Sequence, residues 1–163
     1  LEEAMQEDDL EPLNLAYLLE TYVNHQERSA ETGQEDVVFV CNESQIAVAG
    51  VDYRIEQLLD KLLDNARDFR TPDSTIVVRL YRQDLYCYLE VENQGSHIPD
   101  SMQGKLFSSM VSARQGGTGK AHFGLGLYIV RMIALYHEGE VSAHNLVNPQ
   151  SVMFRVRLPV LLV

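Results

Sequence analysis

Gly124-Leu125-Gly126-Leu127-Tyr128-Ile129-Val130 sets two glycines where a loop runs directly into a strongly apolar helix. Small residues let the backbone approach an anion, and the unpaired amides of a first helical turn, at the positive end of the helix dipole, attract phosphate without any basic side chain. Alone, such a pair reads first as a tight helix cap with no ligand. A second segment, Gln57 to Phe69, carries a polar seam beside an apolar stripe. On a wheel of about 100° per residue centred on Leu62, Asn65 falls roughly 60° to one side, with Lys61 and Asp68 roughly 100° and 120° round the same side. Asp64 lies roughly opposite the stripe and should face water. Between the two segments stands Val91-Glu92-Asn93-Gln94-Gly95-Ser96-His97-Ile98-Pro99, where a strand pattern gives way to a glycine turn.

Positioning these residues requires a particular set of elements. From Pro12, the apolar residues Leu15, Leu18, Leu19, Tyr22 and Val23 recur at helical spacing and predict a helix to about Arg28. Val37 to Cys41 reads as a buried strand with Ile46 to Ala49 as its short partner. Asp52 is the expected N-cap of the next helix, whose stripe runs through Ile55, Leu58, Leu59, Leu62, Leu63, Ala66 and Phe69 to a stop at Thr71-Pro72-Asp73. A hairpin follows over Thr75 to Tyr81 and Leu85 to Glu92. Residues 100–123, rich in Ser and Gly, predict a lid or disordered loop before the helix from Leu125 to Tyr136. Glu140 to His144 and Val152 to Leu158 finish as strands. Mixed helices and antiparallel strands without strict βαβ alternation predict an α+β two-layer sandwich, its mixed, largely antiparallel sheet covered by helices on one face.

The chain has 163 residues, enough for one substantial core. Thirteen basic against 24 acidic side chains give a net charge of −11, which argues against nucleic acid or an anionic membrane as partner. Bound phosphate would therefore need local neutralisation. Cys41 and Cys87 have neither metal-ligand spacing nor a disulfide framework, and a reduced, cytoplasmic setting is the simpler expectation. No apolar run approaches transmembrane length. The sequence begins without Met and reads as a piece of something longer, with residues 1–9 the end of a preceding segment and 10–163 the domain.

In their order and spacing, the three segments resemble the N box, first glycine box and second glycine box of the GHKL superfamily. The resemblance is to the catalytic, ATP-binding domain of bacterial sensor histidine kinases, with its Bergerat-type fold, and extends over nearly the whole chain. It implies that Asn65 is the metal-binding asparagine whose oxygen holds the magnesium bridging the ATP phosphates, a ligand type magnesium prefers. Phe69 matches an aromatic lining the nucleotide pocket, although a core phenylalanine fits the stripe as well. In the first glycine box, Asn93 stands where most relatives have an aspartate that accepts from the adenine amino group; an amide can still accept that bond. Gly95 supplies the turn and Ile98 completes Asn-x-Gly-x-x-Ile-Pro, while His97 replaces a second glycine. Gly124, Leu125, Gly126 and Leu127 form the phosphate-facing second glycine box. Arg114 in the lid is a cation expected to meet the phosphates.

Two further departures bear on chemistry. Lys61 stands where gyrase-like relatives have a water-polarising glutamate and typical kinases an asparagine; a protonated lysine has only donors, so it either reaches a phosphate oxygen or sits in solvent. Asp68 replaces a lysine common in sensor kinases, with Arg67 and Arg70 as substitute cations for the phosphate that such a lysine would meet. His137-Glu138-Gly139 resembles the family's helix-ending His-Gly-Gly. The resemblance thus implies a protein-histidine kinase using ATP and Mg2+, with Lys61 and Asn65 at its catalytic centre. The acceptor histidine would lie on dimerisation helices outside this chain, so the fragment is expected not to autophosphorylate by itself. A response regulator, a homodimer of the whole protein, and a cytoplasmic place in an inner-membrane sensor follow from the same likeness. A degenerate nucleotide-binding module is the alternative, and a GHKL ATPase is disfavoured by Lys61.

Overall fold

A computed structural model describes residues 2–28, 36–108 and 124–162. Its elements run α1 (Glu2–Gln6), β1 (Glu11–Asn14), α2 (Leu15–Arg28), β2 (Val37–Val40), β3 (Ala47–Gly50), α3 (Asp52–Phe69), β4 (Ile76–Gln83), β5 (Tyr86–Gln94), α4 (Gly124–Tyr136), β6 (Glu140–Leu146) and β7 (Ser151–Pro159), with a 3-10 turn at Asp100–Met102. Five strands form one sheet in the order β2-β4-β5-β7-β6, in which β2 and β4 are parallel and the other pairs antiparallel. Side-chain alternation gives this sheet one apolar face, carrying Ile76, Val78, Leu80, Leu89, Val91, Phe154 and Val156. Against it pack the stripes of α2, α3 and α4, including Leu19, Leu59, Leu62, Leu63, Val130 and Ile133. The expected two-layer sandwich is the fold.

Three local expectations are corrected. Residues 11–14 are a strand, β1, and the helix starts at Leu15, because Asn14 Oδ1 accepts from the Tyr17 N–H (3.4 Å) in the manner of an N-cap. Pro12 is tolerated in the edge strand β1, where a missing N–H costs little. The partner of β3 is β1, not the Val37 strand, which instead pairs with β4. Val51, with extended backbone, is the N-cap of α3; Asp52 sits one residue later in the first turn. Residues 2–9 are folded onto the domain: Met5 is buried, and Asp8 forms an ion pair with Arg54 (2.9 Å).

The other sheet face is polar and closes over itself. Glu90, only 4% exposed, accepts from Arg79 Nε (3.1 Å), Tyr81 Oη (2.7 Å) and Arg155 Nε (2.8 Å), while Arg79 also binds Glu92. Stacked Tyr81 and Tyr88 roof this network, with Arg155 lying 5.8 Å from the Tyr88 ring centroid. Burial alone would raise the Glu90 pKa, yet the three donors together hold it below the usual carboxylate value. Cys87, on the apolar face, has its thiol pushed up to about 12 by burial, so it is inert as a nucleophile at neutral pH.

His137 ties the end of α4 to the start of α3. Its Nδ1 donates to the Ile133 carbonyl (2.7 Å) and its Nε2 accepts from the Val51 N–H (3.1 Å), two roles that only the neutral ring can combine. Burial holds its pKa below the ordinary histidine value. The folded state therefore binds fewer protons than the unfolded chain. Stability from this group is full above about pH 6.5 and falls below it, by at most about 1.4 kcal/mol per pH unit until the folded pKa is reached. His144, lowered by burial and then by Arg155, adds in the same direction. Thermal midpoints of wild type and His137→Gln between pH 5 and 7 should show the shallower slope in the variant. Equal slopes would mean that His137 carries no such linkage.

Candidate functional site

Helix α3, the end of β5 and the start of α4 meet at one edge of the apolar layer. Gly95 binds the first two together: a Cβ there would lie 2.5 Å from the Phe69 carbonyl oxygen, and its φ of 152° also disfavours a side chain. The Thr71 N–H donates to the Gln94 carbonyl (2.7 Å), so the last turn of α3 is stitched to the end of β5. On the side facing α4, the Lys61 Cδ lies 3.9 Å from the position of a Gly126 Cβ, placing the lysine stem across the first turns of α4.

Among the residues singled out by sequence, Asn65 and Asn93 are both buried, at 8% and 2% exposure. Asn65 makes no side-chain hydrogen bond among the described residues, and its amide atoms are not among the buried unpaired ones, which leaves its oxygen open to serve as a ligand. Asn93 Nδ2 donates to the Gln94 carbonyl (3.2 Å), which leaves Oδ1 without a partner among the described residues. Phe69 is half-buried against the core, and Ile98 is fully buried. Leu127 points into the core, so only its backbone amide is placed to meet an anion. Gly124 and Leu125 are helical, and their amides belong to the same first turn. Arg114 and most of the expected lid, residues 109–123, lie outside the described residues.

Some neighbours are engaged differently from expectation. Arg67 and Arg70 pair with Asp36 at 3.0 and 3.5 Å, and Arg70 also donates to the Ser74 carbonyl, so neither is available to substitute for a lysine at position 68. Asp60, Asp64 and Asp68 line an exposed, acidic face of α3 at four-residue spacing. Burial and then the charge of Asp64 raise the Asp60 pKa, with Lys61 and Arg67 opposing. Lys61 is thus the cation on the site's side of α3. His97 does not have positive φ; its Nε2 meets the Leu146 carbonyl at 2.7 Å, which is how a side chain replaces the second glycine without backbone strain. The first residues of the expected lid are anchored to the core, with Leu106 buried and Phe107 edge-on to Phe154 (6.1 Å). His137 and Gly139 serve structure: a Cβ on Gly139 would lie 2.2 Å from the Arg157 carbonyl oxygen.

Sequence reasoning missed Asn145 and Gln150, which bind the first glycine box from the β6–β7 hairpin. Asn145 accepts from the Ile98 N–H (2.9 Å) and donates to the Ile98 carbonyl (3.0 Å). Gln150 does the same for Gly95 through its backbone carbonyl and side-chain amide, both at 3.2 Å. A polar residue on the inward face of β6, after Val141 and Ala143, was the available signal.

The chain belongs to the histidine kinase-, DNA gyrase B- and HSP90-like ATPase family, whose sequence model matches residues 50–162. Among its relatives, the sensor protein ChvG of Agrobacterium fabrum is 32% identical over 158 residues, covering 91% of this chain and 26% of ChvG. The sensor histidine kinase CusS of Escherichia coli O157:H7 is 32% identical over 151 residues, covering 90% of this chain and 30% of CusS. The solved catalytic domain of histidine kinase ThkA, at 25% identity, superposes with a TM-score of 0.78 over 93% of this chain and 96% of that one. Within the family, the chain is an ATP-binding catalytic domain of the sensor histidine kinase class.

Proposed function

We propose that this domain, residues 10–163 with 1–9 the end of a preceding segment, delivers the γ-phosphate of ATP to a histidine on dimerisation helices of the same protein. The observation that carries this reading is the convergence of Asn65 and Lys61 on α3, Asn93 and Gly95 at the end of β5, and the first turn of α4. Asn93 Oδ1 would accept from the adenine amino group, beside Phe69 and Ile98. The first-turn amides from Gly124 to Leu127 would meet the phosphates, with Lys61 reaching a phosphate oxygen and Arg114 joining from the lid. Asn65 would hold a magnesium ion, which when bound neutralises phosphate charge. Catalysis is then mostly positioning and charge neutralisation, as phosphoryl transfer requires. The acceptor nitrogen bonds to the γ-phosphorus as the bond to the β-phosphate oxygen breaks, ADP leaves, and the histidine's proton passes to an acidic neighbour.

Lysine cannot polarise water, so the 163-residue chain by itself should hydrolyse ATP negligibly. Joined to a dimerisation segment, it should phosphorylate histidine, read by radiolabel retained under alkaline conditions. Rapid hydrolysis by the domain would sink the kinase reading. ATP binding without transfer in the longer chain would favour the second reading, a degenerate binding module, for which Lys61 and the exposed Asp68 speak. On the kinase reading, the whole protein is a homodimeric inner-membrane sensor with this domain in the cytoplasm, answering to a response regulator.

A further inference from the structure

The first glycine box is held from outside by a strand that the nucleotide reading does not use. Asn145 grips the Ile98 backbone with both ends of its amide, at 2.9 and 3.0 Å. Its place in the sheet matters as much. Asn145 and Asn93 both pair with Val152, from opposite sides of β7, so the two amides stand on the same face one strand apart on either hand. With strands about 4.8 Å apart, that separates their backbones by roughly 10 Å. The loop from Gly95 to Pro99 bridges this gap, fastened to Gln150 at Gly95, to the Leu146 carbonyl through His97, and to Asn145 at Ile98.

We infer that Asn145 is a positioning residue for the purine base, fixing the Ile98 backbone against Asn93 so that the space between them keeps its width. The inference rests on the nucleotide reading of the site. Its physical basis is the reciprocal amide pair beside the buried Ile98 side chain: the Ile98 N–H donates to Asn145, and the Ile98 carbonyl takes its shorter bond from Asn145 (3.0 Å) and a longer one from Gln103 Nε2 (3.5 Å), so loss of Asn145 leaves a costly unpaired N–H and frees the loop to move. Aspartate at 145 has the same shape and still accepts from the Ile98 N–H, but it sets a carboxylate against the Ile98 carbonyl. The loop should shift and the base contact loosen, while the phosphate-facing turn of α4, on another element, stays in place.

The test is the affinity of wild type, Asn145→Asp, Asn145→Ala and Asn145→Ser for ATP and for GTP, beside thermal midpoints. Wild type should prefer ATP, and the preference should narrow at least fivefold in the aspartate and alanine variants, chiefly through weaker ATP binding. Serine, which can keep one of the two bonds, should fall between. Val78→Ala, which weakens the sheet away from the loop, should lower the midpoint and leave the preference unchanged. An unchanged preference in Asn145→Asp, whatever its midpoint, would reduce Asn145 to a structural role and overturn the inference. Wild type that binds neither nucleotide would overturn the nucleotide reading itself and this inference with it.

Discussion

In magnesium, Asn65→Ala is expected to bind a fluorescent ATP analogue about 10- to 100-fold more weakly than wild type, and in excess chelator to bind it nearly as wild type does. The expected loss corresponds to about 1.4 to 2.8 kcal/mol, the scale of losing a useful partner to a hydrated cation rather than of losing the pocket. Asn65 can be removed cleanly because its side chain makes no hydrogen bond among the described residues. Neighbours Leu62, Leu63 and Ala66 continue the apolar packing of α3 without it. The thermal midpoint should therefore stay level or rise slightly, since an amide with no bond to lose contributes little to folding. Equal affinities in magnesium for wild type and variant would remove Asn65 as the metal ligand. A fall in affinity that persists in chelator would make it a direct nucleotide contact instead.

Glu90→Ala should cost about 3–5 kcal/mol of folding stability, the largest effect expected outside the apolar core. Removing the carboxylate leaves Arg79 and Arg155 with like charges across a half-covered sheet face, and Tyr81 without its acceptor. At about 2–4 °C per kcal/mol for a chain of this size, the midpoint should drop by roughly 10 °C. Glu90→Gln, which keeps the shape and loses the charge, should fall between. The pH dependence supplies an independent check. Because the folded Glu90 pKa is held below its ordinary value, its contribution is full above about pH 4.5 and is lost as pH falls through the folded value. The gap between wild type and Glu90→Gln should accordingly close in acid. Nucleotide affinity, measured well below the midpoint, should be unchanged, because Glu90 lies on the sheet face away from the helices. A midpoint within about 2 °C of wild type for Glu90→Ala would show that the network is only a surface arrangement.

Much of this protein is legible in its residues alone. The apolar stripe of α3, the β4–β5 hairpin and the length of α4 follow from periodicities that depend on neighbours within one element, and the structure places them within a residue or two of expectation. Asn65 falls beside that stripe on a wheel, and it is indeed buried at its margin. The family likeness, carried by three short segments in order, needs only their types and spacing.

Tertiary structure decided what no single element contains. Which strand pairs with β3 was settled by β1, a four-residue edge strand with no alternation long enough to announce itself. By residue type Arg67 and Arg70 are free to meet phosphate, yet Asp36, more than thirty residues upstream of Arg67, occupies it at 3.0 Å. Whether His97 would strain the turn depended on its backbone angle and on the Leu146 carbonyl, neither readable from residue type. Asn145 lies one residue beyond the predicted end of its strand, and its role rests on two bonds to a residue 47 positions away. Residue types and local periods state what each segment can do; only the packing of α3, β5, α4 and the β6–β7 hairpin brings those capacities to one place, because long-range hydrogen bonds and ion pairs are chosen among partners that the chain order does not make neighbours.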